Sequence, residues 1–226
     1  QVLREGTMKD RGVKLQMAYF KPNHNRTPEH LANYTKNRIT VVRQLQYSNQ
    51  NSNSLDLVFF VNGIPVATAE LKNALTGQYL SQAIDQYKND RDPKEKLFEF
   101  QRCLVHFAVS TEKVSMTTRL AGKGTLFLPF NEALENYSSD DFATSYLYRN
   151  VLRKDSLLDL LQNFINLQTN EEKTFNISTG KLEVKKSEVL IFPRFHQLRA
   201  VNRLLGDVQE KGVGQKYLIQ HSAGSG

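Results

Sequence analysis

The chain has 226 residues, 39% of them hydrophobic and 23% charged, a composition that supports a full core in one or two domains and excludes a disordered polymer. No apolar run approaches the roughly 20 residues needed to cross a bilayer, and nothing has the form of a signal peptide, so a soluble cytoplasmic protein with no membrane partner is expected. The net charge is +7, and residues 1–50 carry nearly all of it, with nine Lys/Arg against three Asp/Glu.

The chain opens on QVLREG without an initiator methionine, and residues missing upstream are expected. The early positive charge lies on Arg4, Lys9, Arg11, Lys14, Lys21, Arg26, Lys36, Arg38 and Arg43. Such a field favours a polyanion, unless it is only a solvated face. Residues 13–20 and 39–47 read as strands, separated by a polar, proline-containing loop over 21–37.

Residues 54–72, SLDLVFFVNGIPVATAELK, form two apolar strands around an Asn62-Gly63 turn. They carry three charges that a core would not choose: Asp56, Glu70 and Lys72. Side chains alternate along a strand, so Glu70 and Lys72 share a face. A two-residue loop would set Asp56 opposite Ala69 and leave Glu70 on the other face. A three-residue loop, Val61-Asn62-Gly63 with Gly63 left-handed, would set Asp56 opposite Thr68 and diagonal to Glu70, and this loop is the one expected. An Asp followed fourteen residues later by Glu-x-Lys at the end of an apolar strand resembles the PD-(D/E)xK nuclease core, with Leu55 where a proline usually precedes the Asp. That resemblance implies two carboxylates holding Mg²⁺ and a lysine serving an attacking water. The competing reading is ordinary strand ends with solvated charges.

A helix is predicted over 78–89, with Leu80, Ala83, Ile84 and Tyr87 turned to the sheet and Gln78, Gln82 and Gln86 along one edge, toward a phosphate backbone or water. Pro93 prevents its easy continuation. Residues 103–110, 114–118 and 126–130 read as buried strands, in which Cys103 and His106 fill core positions rather than act as nucleophile or ligand. Helical periodicity returns over 142–152 and 156–167, the second capped by Asp155 or Ser156, and both are expected to lead out of the first domain. Residues 168–188 read as a linker or a small hairpin insert. From Val189, VLIFPRFHQLRAVNRLL opens a helix through about 210, and residues 216–220 read as a strand running into HSAGSG. A strand followed by a Gly/Ser-rich loop is how a P-loop begins, although a flexible tail has the same composition. His221 stands where that motif usually has its first glycine, and its lysine would be residue 227. Phe195-His196-Gln197 resembles the Q motif of superfamily 2 helicases.

In this order, Asp56…Glu70-Leu71-Lys72, QYKNDRDP, MTTRLAG, FLPFN, PRFHQ and HSAGSG are similar to the restriction (R) subunit of type I restriction–modification enzymes, over essentially all 226 residues as an amino-terminal part of a longer chain. The resemblance implies an α/β fold with three parts. Residues 1–152 would be a PD-(D/E)xK restriction-endonuclease-like mixed sheet flanked by helices, 153–188 a connecting helix and linker, and 189–226 the start of a RecA-like superfamily 2 ATPase lobe, cut inside its P-loop. It implies Asp56 and Glu70 as metal ligands together with the Leu71 carbonyl, and Lys72 as the catalytic lysine. Gln86 and Tyr87 would support the lysine or touch DNA, though Ala83 stands where the family's Q-x-x-x-Y motif has its glutamine. Gln197 would contact adenine, with Arg194, Ser222, Gly224, Ser225 and Gly226 also at the nucleotide. The implied cofactors are Mg²⁺ and, in the full-length protein, ATP. The implied partners are double-stranded DNA and the methylation (M) and specificity (S) subunits. The expected function is Mg²⁺-dependent cutting of double-stranded DNA after ATP-driven translocation, with a non-catalytic DNA-binding or subunit-docking module as the alternative. No ATP turnover is expected from these residues alone.

Overall fold

The computed structural model describes residues 2–5, 7–8, 14–22, 26–132, 141–176 and 181–221. A single helical turn, α1 (Val2–Glu5), precedes the short antiparallel pair β1 (Thr7–Met8) and β2 (Lys14–Leu15). Then come α2 (Pro28–Thr35), β3 (Ile39–Gln46), β4 (Ser54–Val61), β5 (Ile64–Leu71), α3 (Leu80–Asn89), β6 (Val105–Val109), β7 (Val114–Thr117) and β8 (Leu128–Pro129). Strands β3 to β8 form a six-stranded mixed sheet in sequence order. All neighbours are antiparallel except β5 and β6, which run parallel. Parallel neighbours need a crossover, and α3 supplies it by packing across β5, β6 and β7.

The two faces of the sheet bury different material. On one, Phe59, Ala67, Ala69, Phe107 and Val109 meet Tyr146, Leu147, Leu157, Leu160, Leu161, Phe192 and Phe195 from the second half of the chain. On the other, Tyr87 of α3 packs with Leu55, Val58, Phe98 and Leu120. Along β5 the alternation is clean after Val66: Ala67 and Ala69 join the larger core, while Thr68 and Glu70 point to the α3 side.

Several elements differ from the sequence pattern. Within the expected loop over 21–37 lies α2, started by Pro28 at a position where the missing N–H costs nothing. Its polar face hides the helical signal, because Tyr34 is its only buried residue. Of the strand expected over 13–20, residue 13 lies outside the described residues and only β2 is strand among the rest, since the Asn37 side chain takes over the role of a partner strand: it accepts from the Tyr19 N–H at 3.0 Å and donates to the Tyr19 carbonyl. Over 142–165 the chain makes a π-helical turn, Leu147–Val151, then α4 (Lys154–Asp159) and a second π-helical turn, Leu160–Phe164. These segments close the larger core rather than leave it. Arg153, not Asp155 or Ser156, is the N-cap of α4, and Asp155 instead accepts a 2.6 Å hydrogen bond from the Tyr34 hydroxyl.

Of residues 168–188, those described, 168–176 and 181–188, belong to an antiparallel ribbon, β9 (Asn166–Asn176) with β10 (Lys181–Ile191). The Ser178-Thr179-Gly180 stretch between them lies outside the described residues. Helix α5 (Phe195–Lys211) follows. No strand forms over 216–220, where Leu218 is 92% exposed, because an isolated apolar run has no neighbour to complete its ladder. Among the described residues no helix is long and apolar enough to cross a membrane.

Candidate active site

The β4–β5 hairpin turns on two residues, Asn62 (φ 50°) and Gly63 (φ 84°), with Val61 paired to Ile64. Positive φ at both positions is the signature of the type I′ turn that Asn-Gly favours. The expected three-residue loop is therefore absent. Had the ladder continued regularly, Asp56 would have faced Ala69. Instead Phe60 pairs with Pro65 and Phe59 with Ala67, so Val66 is an extra residue, a β-bulge. The shift puts Leu57 opposite Ala69, the last pair of the ladder, and Thr68 opposite Val58 rather than Asp56; beyond it the Asp56 carboxylate takes the Leu71 N–H and lies beside Glu70. The two carboxylates reach one face through the bulge, not through the loop length.

Glu70 is fully buried, yet charged groups surround it. Its Oε1 accepts from Arg91 Nε at 2.8 Å and from Arg91 Nη2 at 2.6 Å, while Oε2 has no hydrogen-bond partner. Burial pushes the carboxyl up from 4.5 to about 7; the charge and hydrogen bonds of Arg91 oppose the rise, and the charge of Asp56 with a hydrogen bond between the two carboxyls, open to the protonated form, reinforces it. Asp56 is half-buried and oriented from both sides: Gln44 Nε2 donates to Oδ1 and the Leu71 N–H to Oδ2, each at 2.8 Å. Gln44 lies across from Asp56 on β3, at a backbone irregularity of φ 49°.

Lys72 leaves β5 with its N–H on the Val109 carbonyl at 2.8 Å, which extends the parallel ladder by one bond. Its side chain lines an open cleft of about 290 Å³ with Gln78, Gln82, Asp85, Gln86, Asn89 and Asp90. The glutamine edge of α3 thus faces the lysine. Gln82 also accepts the Tyr79 N–H at the start of the helix, and the Gln86 Oε1 is buried without a hydrogen-bond partner. Tyr87 does not reach this surface. It is fully buried, its hydroxyl 2.7 Å from Thr68 Oγ1, which in turn lies 2.8 Å from His106 Nδ1. Tyr87 therefore lies beneath the site, and of its two expected roles, supporting the lysine or touching DNA, its burial rules out the second. His106 is a satisfied core residue, held down to about 3 by burial, and Cys103 is a buried thiol pushed up to about 12.

The other sequence candidates lie elsewhere. Gln197 Oε1 accepts the Arg194 N–H at 3.0 Å and so caps α5. Ser222, Gly224, Ser225 and Gly226 lie outside the described residues, as do Lys9 and Arg11. Lys21, Lys36, Arg38 and Arg43 are exposed. Arg91 and Gln44 are site residues that the sequence reading passes over. Arg91 carried a weaker signal: it falls four residues after Tyr87, just past the end of α3, where a cation drawn into the buried face would demand a buried anion.

Among the described residues no group of three or more His, Cys, Asp or Glu side chains converges as a metal cluster. The site offers the neighbouring Asp56 and Glu70 carboxylates, oxygen donors of the kind that suits Mg²⁺, which takes few protein carboxylates and keeps several waters of its own. The buried, unpartnered Oε2 of Glu70 fits such a cation. A carboxylate oxygen hidden from water with no donor is costly unless a proton shared with the adjacent Asp56 carboxyl or a cation between the two occupies it.

Residues 6–125 match the family model described as type I restriction enzyme R protein N terminus. Two relatives align over most of the chain. The "type I restriction enzyme HindI endonuclease subunit" of Haemophilus influenzae is 26% identical over 211 residues, 88% of this chain and 18% of that protein. The "putative type I restriction enzyme MjaVIIIP endonuclease subunit" of Methanocaldococcus jannaschii is 25% identical over 201 residues, 86% of this chain and 18% of that protein. The chain thus spans about a fifth of the length of either relative.

Proposed function

Because this chain belongs to the family of type I restriction enzyme R protein N termini, we propose that its sheet carries the Mg²⁺-dependent endonuclease site of such a subunit, of the PD-(D/E)xK type. The observation that carries the proposal is the closeness of the Asp56 and Glu70 carboxyls where β4 and β5 end their pairing, with Glu70 Oε2 receiving no donor and Lys72 two residues further on. Asp56, Glu70 and the Leu71 carbonyl would hold the ion. When bound, it would lower the pKa of a water and offset the charge that develops on a phosphodiester. Lys72, in the cleft beside Gln86, orients the attacking water and holds or accepts its proton. The exposed Lys21, Lys36, Arg38 and Arg43 contact the phosphates of double-stranded DNA, which supplies affinity without sequence information. That division of labour suits a cytoplasmic complex in which a specificity subunit reads the target and a methylation subunit modifies it. Residues 189–226 would open the RecA-like ATPase lobe whose ATP-driven translocation precedes cutting, with Gln197 at the adenine. In the described state Gln197 caps α5, so adenine binding would require it to share or release the Arg194 N–H.

The Arg91–Glu70 ion pair favours a second reading, in which the charged strand end only braces a DNA-binding or docking module. Asp56→Ala, Glu70→Ala and Lys72→Ala separate the two in the assembled enzyme. Each should abolish Mg²⁺-dependent cutting while DNA binding and ATP hydrolysis persist. Retained cutting in any of the three would refute the assignment of that residue.

A further inference from the structure

Arg91 follows directly on α3 and is only 4% exposed, so its permanent charge is committed to whatever surrounds it. Its Nε and Nη2 converge on a single oxygen of Glu70 at 2.8 and 2.6 Å. Nη2 also donates to the Ser54 carbonyl at 2.9 Å, Nη1 to the Tyr47 hydroxyl at 3.4 Å, and the guanidinium lies 5.6 Å from the centre of the Tyr47 ring. The guanidinium is thereby tied to the end of β3 and the start of β4 as well as to β5. A counter-ion that served only to neutralise Glu70 would best engage both carboxylate oxygens in the usual parallel fork. Here one oxygen receives two donors and the other, equally buried, receives none.

We infer that Arg91 is the positioning residue of the site: it fixes the Glu70 carboxylate through Oε1 and so presents Oε2 to a divalent cation. The inference rests on Glu70 being a cation ligand. It gives Arg91 a role that a salt bridge for stability alone would not have, because the orientation of one ligand oxygen depends on it.

The test uses the full-length subunit without nucleotide, with Mn²⁺ binding followed by electron paramagnetic resonance. Arg91→Lys keeps a charge but cannot bring two parallel N–H groups to one oxygen, and Mn²⁺ binding is expected to weaken about 10- to 100-fold. The Mg²⁺ concentration that half-saturates DNA cutting should rise in step, and saturating Mg²⁺ should restore the rate. Arg91→Gln, which keeps a donor without the charge, should shift binding in the same direction and decides the matter if the lysine variant does not fold. Native-strength Mn²⁺ binding in a folded variant of either kind overturns the assignment, since a merely structural ion pair would lower the unfolding temperature and leave cation affinity alone. Native-strength Mn²⁺ binding in Glu70→Gln instead overturns the underlying assignment of Glu70 as a ligand.

Discussion

Glu70 titrates near 7 because its surroundings favour the neutral carboxyl, and that has a definite sign for stability. Between pH 4.5 and 7 the folded chain binds more protons at this group than the unfolded chain does, so its contribution to stability falls as pH rises through that window. His106 acts in the opposite direction. Its pKa is depressed to about 3, so stability is lost as pH falls from 6.5 toward 3. A whole-protein pH profile mixes the two, and a single variant separates them. In Glu70→Gln the titration at this site is gone, so the unfolding temperature of the variant relative to the native chain should rise between pH 5 and pH 8, in the absence of divalent cations. A difference independent of pH would show that burial does not control this carboxyl. The neighbouring Tyr87–Thr68–His106 chain adds no charge at neutral pH and serves to satisfy hydroxyls that burial would otherwise leave unpaired.

The hairpin holds the two carboxylates together through its turn and its bulge. Gly63 sits at φ 84° with nothing within 4 Å of where a Cβ would stand, so Gly63→Ala incurs backbone strain alone. Urea unfolding should show a loss of about 1–2 kcal/mol, the cost of a left-handed L-residue, and an unchanged midpoint would mean that the turn is not what sets the register. Asn62 adds hydrogen bonds from the turn to Met17, Asn37 and Arg38, which anchors the segment before α2 to the hairpin. Strands β4 and β5 and helix α3 are legible in the sequence because alternation, an Asn-Gly dipeptide between the two runs and a 3.6-residue stripe are all local signals, although the turn is shorter than the one expected. The bulge at Val66 is not, since nothing in IPVATAEL distinguishes a residue that pairs from one that does not. The sequence criterion was parity, that Asp56 and Glu70 share a face, and the parity holds by a device other than the loop it pointed to. Helix α2 escapes for a different reason: a helix with one buried side chain carries almost no periodic pattern.

Across the whole molecule the parallel step from β5 to β6 fixes where chemistry can occur. The chain must leave the carboxyl end of β5 to enter α3, so Glu70, Lys72 and the glutamine edge of α3 are brought to one end of the sheet by topology. The larger core, which draws in Phe192, Phe195 and Leu198, lies on the opposite face, and Lys72 with the glutamine edge lines an open cleft on this one. The family was legible from the spacing of Asp56, Glu70 and Lys72 together with the C-terminal run, although neither fixes how the second half packs. Arg91 was readable only in part, as a cation just past a buried stripe whose partner lay on another element. The most direct measurement of the central claim is an anomalous difference map from crystals of this chain grown or soaked with Mn²⁺. A peak is expected between the Asp56 carboxylate and Glu70 Oε2, within coordination distance of the Leu71 carbonyl. Manganese bound elsewhere, with none at these two carboxylates under saturating conditions, would contradict it.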